Sequence, residues 1–306
     1  MREVIEALIR STMDYAPSLV FTAVGAALTE RAGVINLGLE GMMRAGAFVA
    51  AVTALATGSP LAGMGAAMVA GLVLALLHGW LCIRWRSDQV VVGIALNLVM
   101  LAGITVLVES MYGGNSTPSA HALPRIRIPG LADVPILGAL SGHPLTSYLA
   151  IAVPIVAQWA VSRTRWGLRL RAVGEQPGAV ATLGLSVSGL RYGAVLLSGA
   201  LSGLGGATLS LAVLDSFNDL MPYGQGFIAL AAMIFGKWTP LGAAGAAAFF
   251  AFADALRIGT STAGLELPRG VMLALPYAVS LLMLAGLVGK ATPPAADGQP
   301  FDPEVR

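Results

Sequence analysis

The sequence predicts an all-α fold, a polytopic integral membrane helical bundle of eight or nine transmembrane helices with some spans short or broken. Three observations predict it. The 306 residues are 56% hydrophobic and 11% charged, with a mean hydropathy of +0.78, whereas a soluble domain carries about 25% charged residues. No single core of this size could hide that much apolar surface from water. Apolar runs near 20 residues recur, the length that crosses a hydrocarbon core about 30 Å thick, and the strand-like alternation of a membrane β-barrel is missing.

The elements follow in order. The opening "MREVIEALIRSTMDY" is too charged for the apolar region of a secretory signal and reads as a short surface helix. Spans are expected at 15–29, 37–57, 60–83, 89–110, 146–162, 192–213, 224–236, 239–256 and 270–289. The first, fifth and seventh are short, and short spans fold against neighbours that keep their backbone satisfied. These make one transmembrane domain over 1–290. Within it, 111–145 is a long Gly- and Pro-rich loop and 163–191 a basic one. Residues 291–306 are too polar to bury and are expected to be a disordered tail.

Basic residues set the orientation. With 163–191 in the cytoplasm, eleven of the 18 Lys and Arg fall on that side and six on the other, while Arg44 lies within a span. Residues 111–145 are then outside, as is the N-terminus.

Several chemistries are excluded. A net charge of +2 gives no reason to expect a nucleic-acid partner. "FGKWT" fails as a phosphate-binding loop, because Ala231 stands at the first glycine position and Trp238 at the hydroxyl position. "GQGFIA" at 224–229 lacks the preceding strand that a dinucleotide site needs. Cys82 is the single cysteine, and His78, His121 and His143 are far apart in sequence, so no metal site is expected. No cofactor and no catalytic residue is expected.

Charge inside a membrane is costly and marks residues worth attention. Glu40 and Arg44 stand four apart in "NLGLEGMMRAGAF", on one helix face, where they can pair. Alternatively, Glu40 lines a route or fixes a break in a helix. Asp254 and Arg257 form a similar i,i+3 pair. Asn97, at mid-span, can bond a neighbouring helix or contact substrate. Gly199 and Gly203 have the G-x-x-x-G spacing of close helix packing.

The loop "RAVGEQPGAVATLGL" (171–185) carries its own helix. Pro177 is pre-set for a first helical position, and Gly184 supplies the stop. Small residues with Leu183 and Leu185 suit a protein groove better than a lipid surface, which favours Trp, Phe and Lys.

This stretch resembles the coupling helix of ABC importer permeases of the nucleoside and simple-sugar (branched-chain amino acid/ribose-type) group. "ERAGVINLGLEGMM" (30–43), "DQVVVGIALNLVMLAGIT" (88–105), "GQGFIALAAMIFGKWTPLGA" (224–243) and "LPRGVMLALPYAVSLLML" (267–284) resemble the same group in the same order. The resemblance covers roughly residues 15–290. It implies ATPase coupling through Arg171, Gly174, Glu175, Pro177, Ala179, Ala181 and Gly184, with Asn36, Glu40 and Asn97 as candidates for the translocation pathway. It further implies an ABC ATPase subunit, a second homologous permease, an extracytoplasmic solute-binding lipoprotein, and a place in the bacterial inner membrane. A self-sufficient secondary transporter is the alternative, and it would need matching broken helices and an ion relay. An intramembrane enzyme would need a nucleophile–base pair or a metal site, and none is apparent.

Overall fold

The computed structural model describes residues 2–130, 137–262 and 292–302, with side chains over 5–130, 138–256 and 292–302. The helices are α1 (Arg2–Arg31), α2 (Leu39–Thr57), α3 (Pro60–Gly79), α4 (Gln89–Tyr112), α5 (Leu145–Arg163), α6 (Arg165–Glu175), α7 (Pro177–Thr182), α8 (Val187–Thr208), α9 (Gln225–Phe235) and α10 (Pro240–Thr262). π-Helical turns extend α3 through Trp80–Arg84 and α8 through Leu209–Val213. A two-residue hairpin pairs β1 (Arg125–Ile126) with β2 (His143–Pro144), antiparallel. Five of these helices are long and apolar enough to cross a membrane. The expected span at 270–289 and the side chain of Arg257 lie outside the described residues.

Why α8 sits at the centre is written in its small residues. A Cβ on Gly71 of α3 would overlap the Gly199 carbonyl oxygen of α8, and one on Gly203 would overlap the Ala67 carbonyl of α3. On another face of α8, a Cβ on Gly206 would overlap the Met43 carbonyl of α2. The G-x-x-x-G spacing thus packs backbone against backbone. The membrane-facing helices contrast with it. In α8, 78% of the span is buried, against 28% in α5 and 22% in α4. Val91, Leu98, Val99 and Val106 of α4 and Ile155 and Trp159 of α5 point outward, as lipid-facing residues do.

One correction concerns the N-terminus. Residues 2–31 form one continuous helix of 30 residues, not a surface helix followed by a short span. Its polar first half overhangs the apolar part and holds the long loop. Asp14 Oδ1 lies 2.8 Å from His143 Nδ1, and the other ring nitrogen of His143 lies 2.7 Å from the Ala139 carbonyl. Pro17 sits inside α1 and cannot donate to the carbonyl four residues earlier, Met13. Ser147 Oγ of α5 donates to that carbonyl instead, at 2.8 Å.

A second correction concerns the tail. Residues 292–302, expected to be disordered, lie folded against the end of the bundle formed by Gly33, Ile35, Arg86, α6 and the start of α8. Pro294 and Ala296 are buried. The few apolar groups of this polar stretch find a ready surface, Asp302 pairs with Arg86, and Asp297 lies between Glu30 and Arg191.

Candidate functional site: two helices that begin inside the bundle

Helices α2 and α9 both start in the interior. After α1 ends at Arg31, residues 32–38 run back into the protein without helical structure. Such backbone is tolerated at membrane depth only where protein surrounds it. Asn36 is fully buried, and its Oδ1 accepts from Gly38 N–H at 3.1 Å. The first turn of α2 is closed by a residue of another helix. Asn97 of α4 accepts from Gly41 N–H through Oδ1 at 2.8 Å and donates to the Leu37 carbonyl through Nδ2, also at 2.8 Å. Gly93, one turn earlier in α4, makes the approach possible: a Cβ there would lie 2.8 Å from Leu37 Cβ.

Helix α9 repeats the arrangement. Its 11 residues span about 16 Å, half of a hydrocarbon core. Its end is fixed at the basic end of the bundle, where Arg31 Nε donates to the Trp238 carbonyl at 2.6 Å. Its start therefore lies deep. Tyr223 and Gly224 both have positive φ, +62° and +81°, which turns the chain sharply into the helix. No side chain of its own caps it. Glu40 of α2 does so, accepting from Gly224 N–H at 2.8 Å and from Gly226 N–H at 2.7 Å. A carboxylate at a helix N-terminus meets both orphan amides and the positive end of the helix dipole. Ser18 Oγ of α1 adds a 2.6 Å bond to Gln225 Oε1.

Asn36, Glu40 and Asn97 are thus gathered at one level, linking α4 to α2 and α2 to α9. The expected ion pair is corrected here. Among the described residues no ion pair joins Glu40 to Arg44: the carboxylate oxygens accept from the α9 amides, and Arg44 attracts the carboxylate from beyond contact distance. Arg44 is 6% exposed, and its Nη1 has no hydrogen-bond partner.

The segment entering α9 is held by the long loop. Thr117 N–H donates to the Phe217 carbonyl at 2.9 Å and Ala120 N–H to the Asp215 carbonyl at 2.6 Å, while Phe217 N–H donates to Thr117 Oγ1 at 3.0 Å. Residues 115–123 therefore line the interior chain rather than standing off it. Nothing in their composition announced this.

The second candidate feature is α7. Pro177 occupies its first turn, and Gly184, at φ +73°, ends it, as expected. Gly178, Ala179, Thr182 and Leu183 face outward, Leu183 with 77% exposure. Ala181 does not. It is half-buried and packs on the cluster of Val173, Val180 and Val187, because a helix of six residues needs one face on the bundle. Gly174 is also a packing residue: a Cβ there would overlap the Arg31 carbonyl. Arg171 is half-buried, with no partner for Nε, and Glu175 is exposed. Sequence reading missed α6, an 11-residue helix that starts at a Thr164 cap, since its three arginines read as loop.

Interior helix starts closed by side chains from other helices, among several lipid-facing spans, are features of a multi-pass membrane transport protein. A family described as "branched-chain amino acid transport system / permease component" matches residues 8–287, and the chain belongs to it. Over 98% of its length it is 39% identical to the guanosine ABC transporter permease protein NupQ of Bacillus subtilis, 97% of which is covered. It is 36% identical to the nucleoside ABC transporter permease protein NupC of Lactococcus lactis, over 96% of each chain. It is also 36% identical to the putative glucose ABC transporter permease protein TsgC13 of Haloferax volcanii, over 87% of this chain and 82% of that one.

Proposed function

We propose that this chain is the permease subunit of a bacterial inner-membrane ABC importer that carries nucleosides into the cytoplasm. End-to-end similarity to the guanosine and nucleoside permeases carries the reading. In it, a separate ATPase docks on the outward face of α7, a second homologous permease completes the pathway, and a solute-binding lipoprotein delivers substrate. The chain itself hydrolyses nothing. Asn36, Glu40 and Asn97 shape the pathway by fixing where α2 and α9 begin. Interior helix starts are also what a self-sufficient transporter would have. Family membership favours the ATP-driven reading.

The test is uptake of labelled guanosine, uridine and glucose by cells expressing the whole transporter, with and without a working ATPase. Saturable guanosine and uridine uptake, lost with the ATPase, is expected. Uptake of glucose alone would overturn the nucleoside assignment, and uptake independent of the ATPase would overturn the importer class.

A further inference from the structure

The segment 292–302 touches five parts of the bundle within eleven residues. Ala296 N–H donates to the Gly174 carbonyl at 2.8 Å, in the last turn of α6. Ala295 N–H reaches Glu175 Oε2 at 3.3 Å. Arg191 Nη1 of α8 donates to the Gln299 carbonyl at 2.9 Å. Arg86, in the turn between α3 and α4, grips Asp302 through both nitrogens, Nη2 to Oδ1 at 2.8 Å. Phe301 packs on Val173, Val180 and Val187, which belong to α6, α7 and α8. The connection between α1 and α2 closes the other side. A Cβ on Gly33 would lie 2.8 Å from the Ala296 carbonyl oxygen, and one on Gly298 would lie 2.7 Å from Ile35 Cδ1.

Helix α7 is six residues long, too short to hold its own shape. The valine cluster is its apolar anchor, and Phe301 covers that cluster. The same segment lies against residues 33–35, at the head of the chain that leads to Asn36 and the start of α2. We propose that residues 292–302 form a strap that fixes α7 to the α1–α2 connection, so that displacement of α7 moves the start of α2. This rests on the reading of α7 as the ATPase contact. Phe301, Gly298 and Gly33 are positioning residues for energy coupling. Burial pushes the Asp297 carboxyl up to about 6, while hydrogen bonds with Glu30 and the Gly298 amide, and then the Arg191 charge, pull the other way, as expected of a group seated in the protein rather than trailing in water. The exposed Arg86–Asp302 pair adds little by itself; the backbone bonds and Phe301 carry the attachment.

The experiment uses the whole transporter, with its ATPase, in proteoliposomes, and reads substrate moved per ATP hydrolysed. Phe301→Asp puts a charge on the valine cluster. Gly298→Val places a β-branched residue at φ +71°, a strained conformation, and drives it into Ile35. Both are expected to retain ATPase binding and hydrolysis while the ratio falls roughly tenfold, the order of such strain. Phe301→Leu should keep the wild-type ratio. If Gly298→Val does not fold, Phe301→Asp decides. An unchanged ratio in Phe301→Asp overturns the strap. So does loss of ATPase binding there, which would make the segment part of the docking surface. Leu183→Asp separates the two readings: if it leaves both ATPase binding and uptake intact, α7 is not the docking helix, whatever the strap variants do.

Discussion

The Ser147 hydroxyl of α5 fills, at 2.8 Å, the acceptor on Met13 that Pro17 leaves open in α1. A buried carbonyl without a donor costs about 1–3 kcal/mol. Ser147→Ala should therefore lower the melting temperature in detergent. Adding Pro17→Ala should recover it, because Ala supplies the missing N–H. Equal melting of wild type and Ser147→Ala would show that the bond contributes nothing.

Glycines along α8 should differ sharply in tolerance. Gly193 has nothing within 4 Å of a Cβ position, whereas Gly203 sits on the Ala67 backbone. Gly193→Ala should fold normally. Gly203→Ala should lose much of its folded yield, since overpacking against backbone costs about 1–3 kcal/mol or more. Comparable yields by size-exclusion fluorescence would contradict the close crossing.

Glu40→Gln leaves one acceptor oxygen where two amides need one each. A stability loss of about 1–3 kcal/mol is expected, together with loss of uptake. Adding Arg44→Leu should not restore yield, because the carboxylate is bound to α9 rather than to Arg44. Recovery of yield in the double variant would restore the ion-pair account.

Two neighbouring alanines in α7 should separate docking from packing. Ala179→Arg, on the outward face, should leave membrane abundance unchanged while the ATPase no longer co-purifies. Ala181→Arg, directed into the valine cluster, should lower abundance itself, at a cost on the order of a few kcal/mol. A pull-down in detergent beside a quantitative blot reads both. The opposite pattern would mean that α7 is rotated.

Much of the described bundle was legible because membrane spans announce themselves locally, by length and apolarity. The starts of α3 and α7 were legible too, since Pro60 and Pro177 occupy first turns. The interior caps were not. Gly224 precedes α9 with no Ser, Thr or Asp of its own, and the carboxylate that closes it stands 184 residues away. Asn97 was legible as a polar residue needing a partner, but its attachment to Leu37 and Gly41 depends on how α4 crosses the α1–α2 connection. The ion pair failed for the same reason: i,i+4 spacing shows that Glu40 can reach Arg44, not that two amides reach it first. The tail misled because its polarity was read without the arginines it meets.

The long sequence gap between Glu40 and Gly224 sets a timetable. A ribosome making roughly 5–20 residues per second needs about 10–40 s to add the 184 residues that separate the carboxylate from its first amide. During that interval the nascent chain already contains α2 but not the amide donors that will hydrogen-bond its acid. Arg44 is the only other charged residue of that helix, and it emerges within a second of Glu40. The interior of this protein is thus completed late in synthesis, and a chain halted before residue 224 carries an acid in a half-built membrane domain.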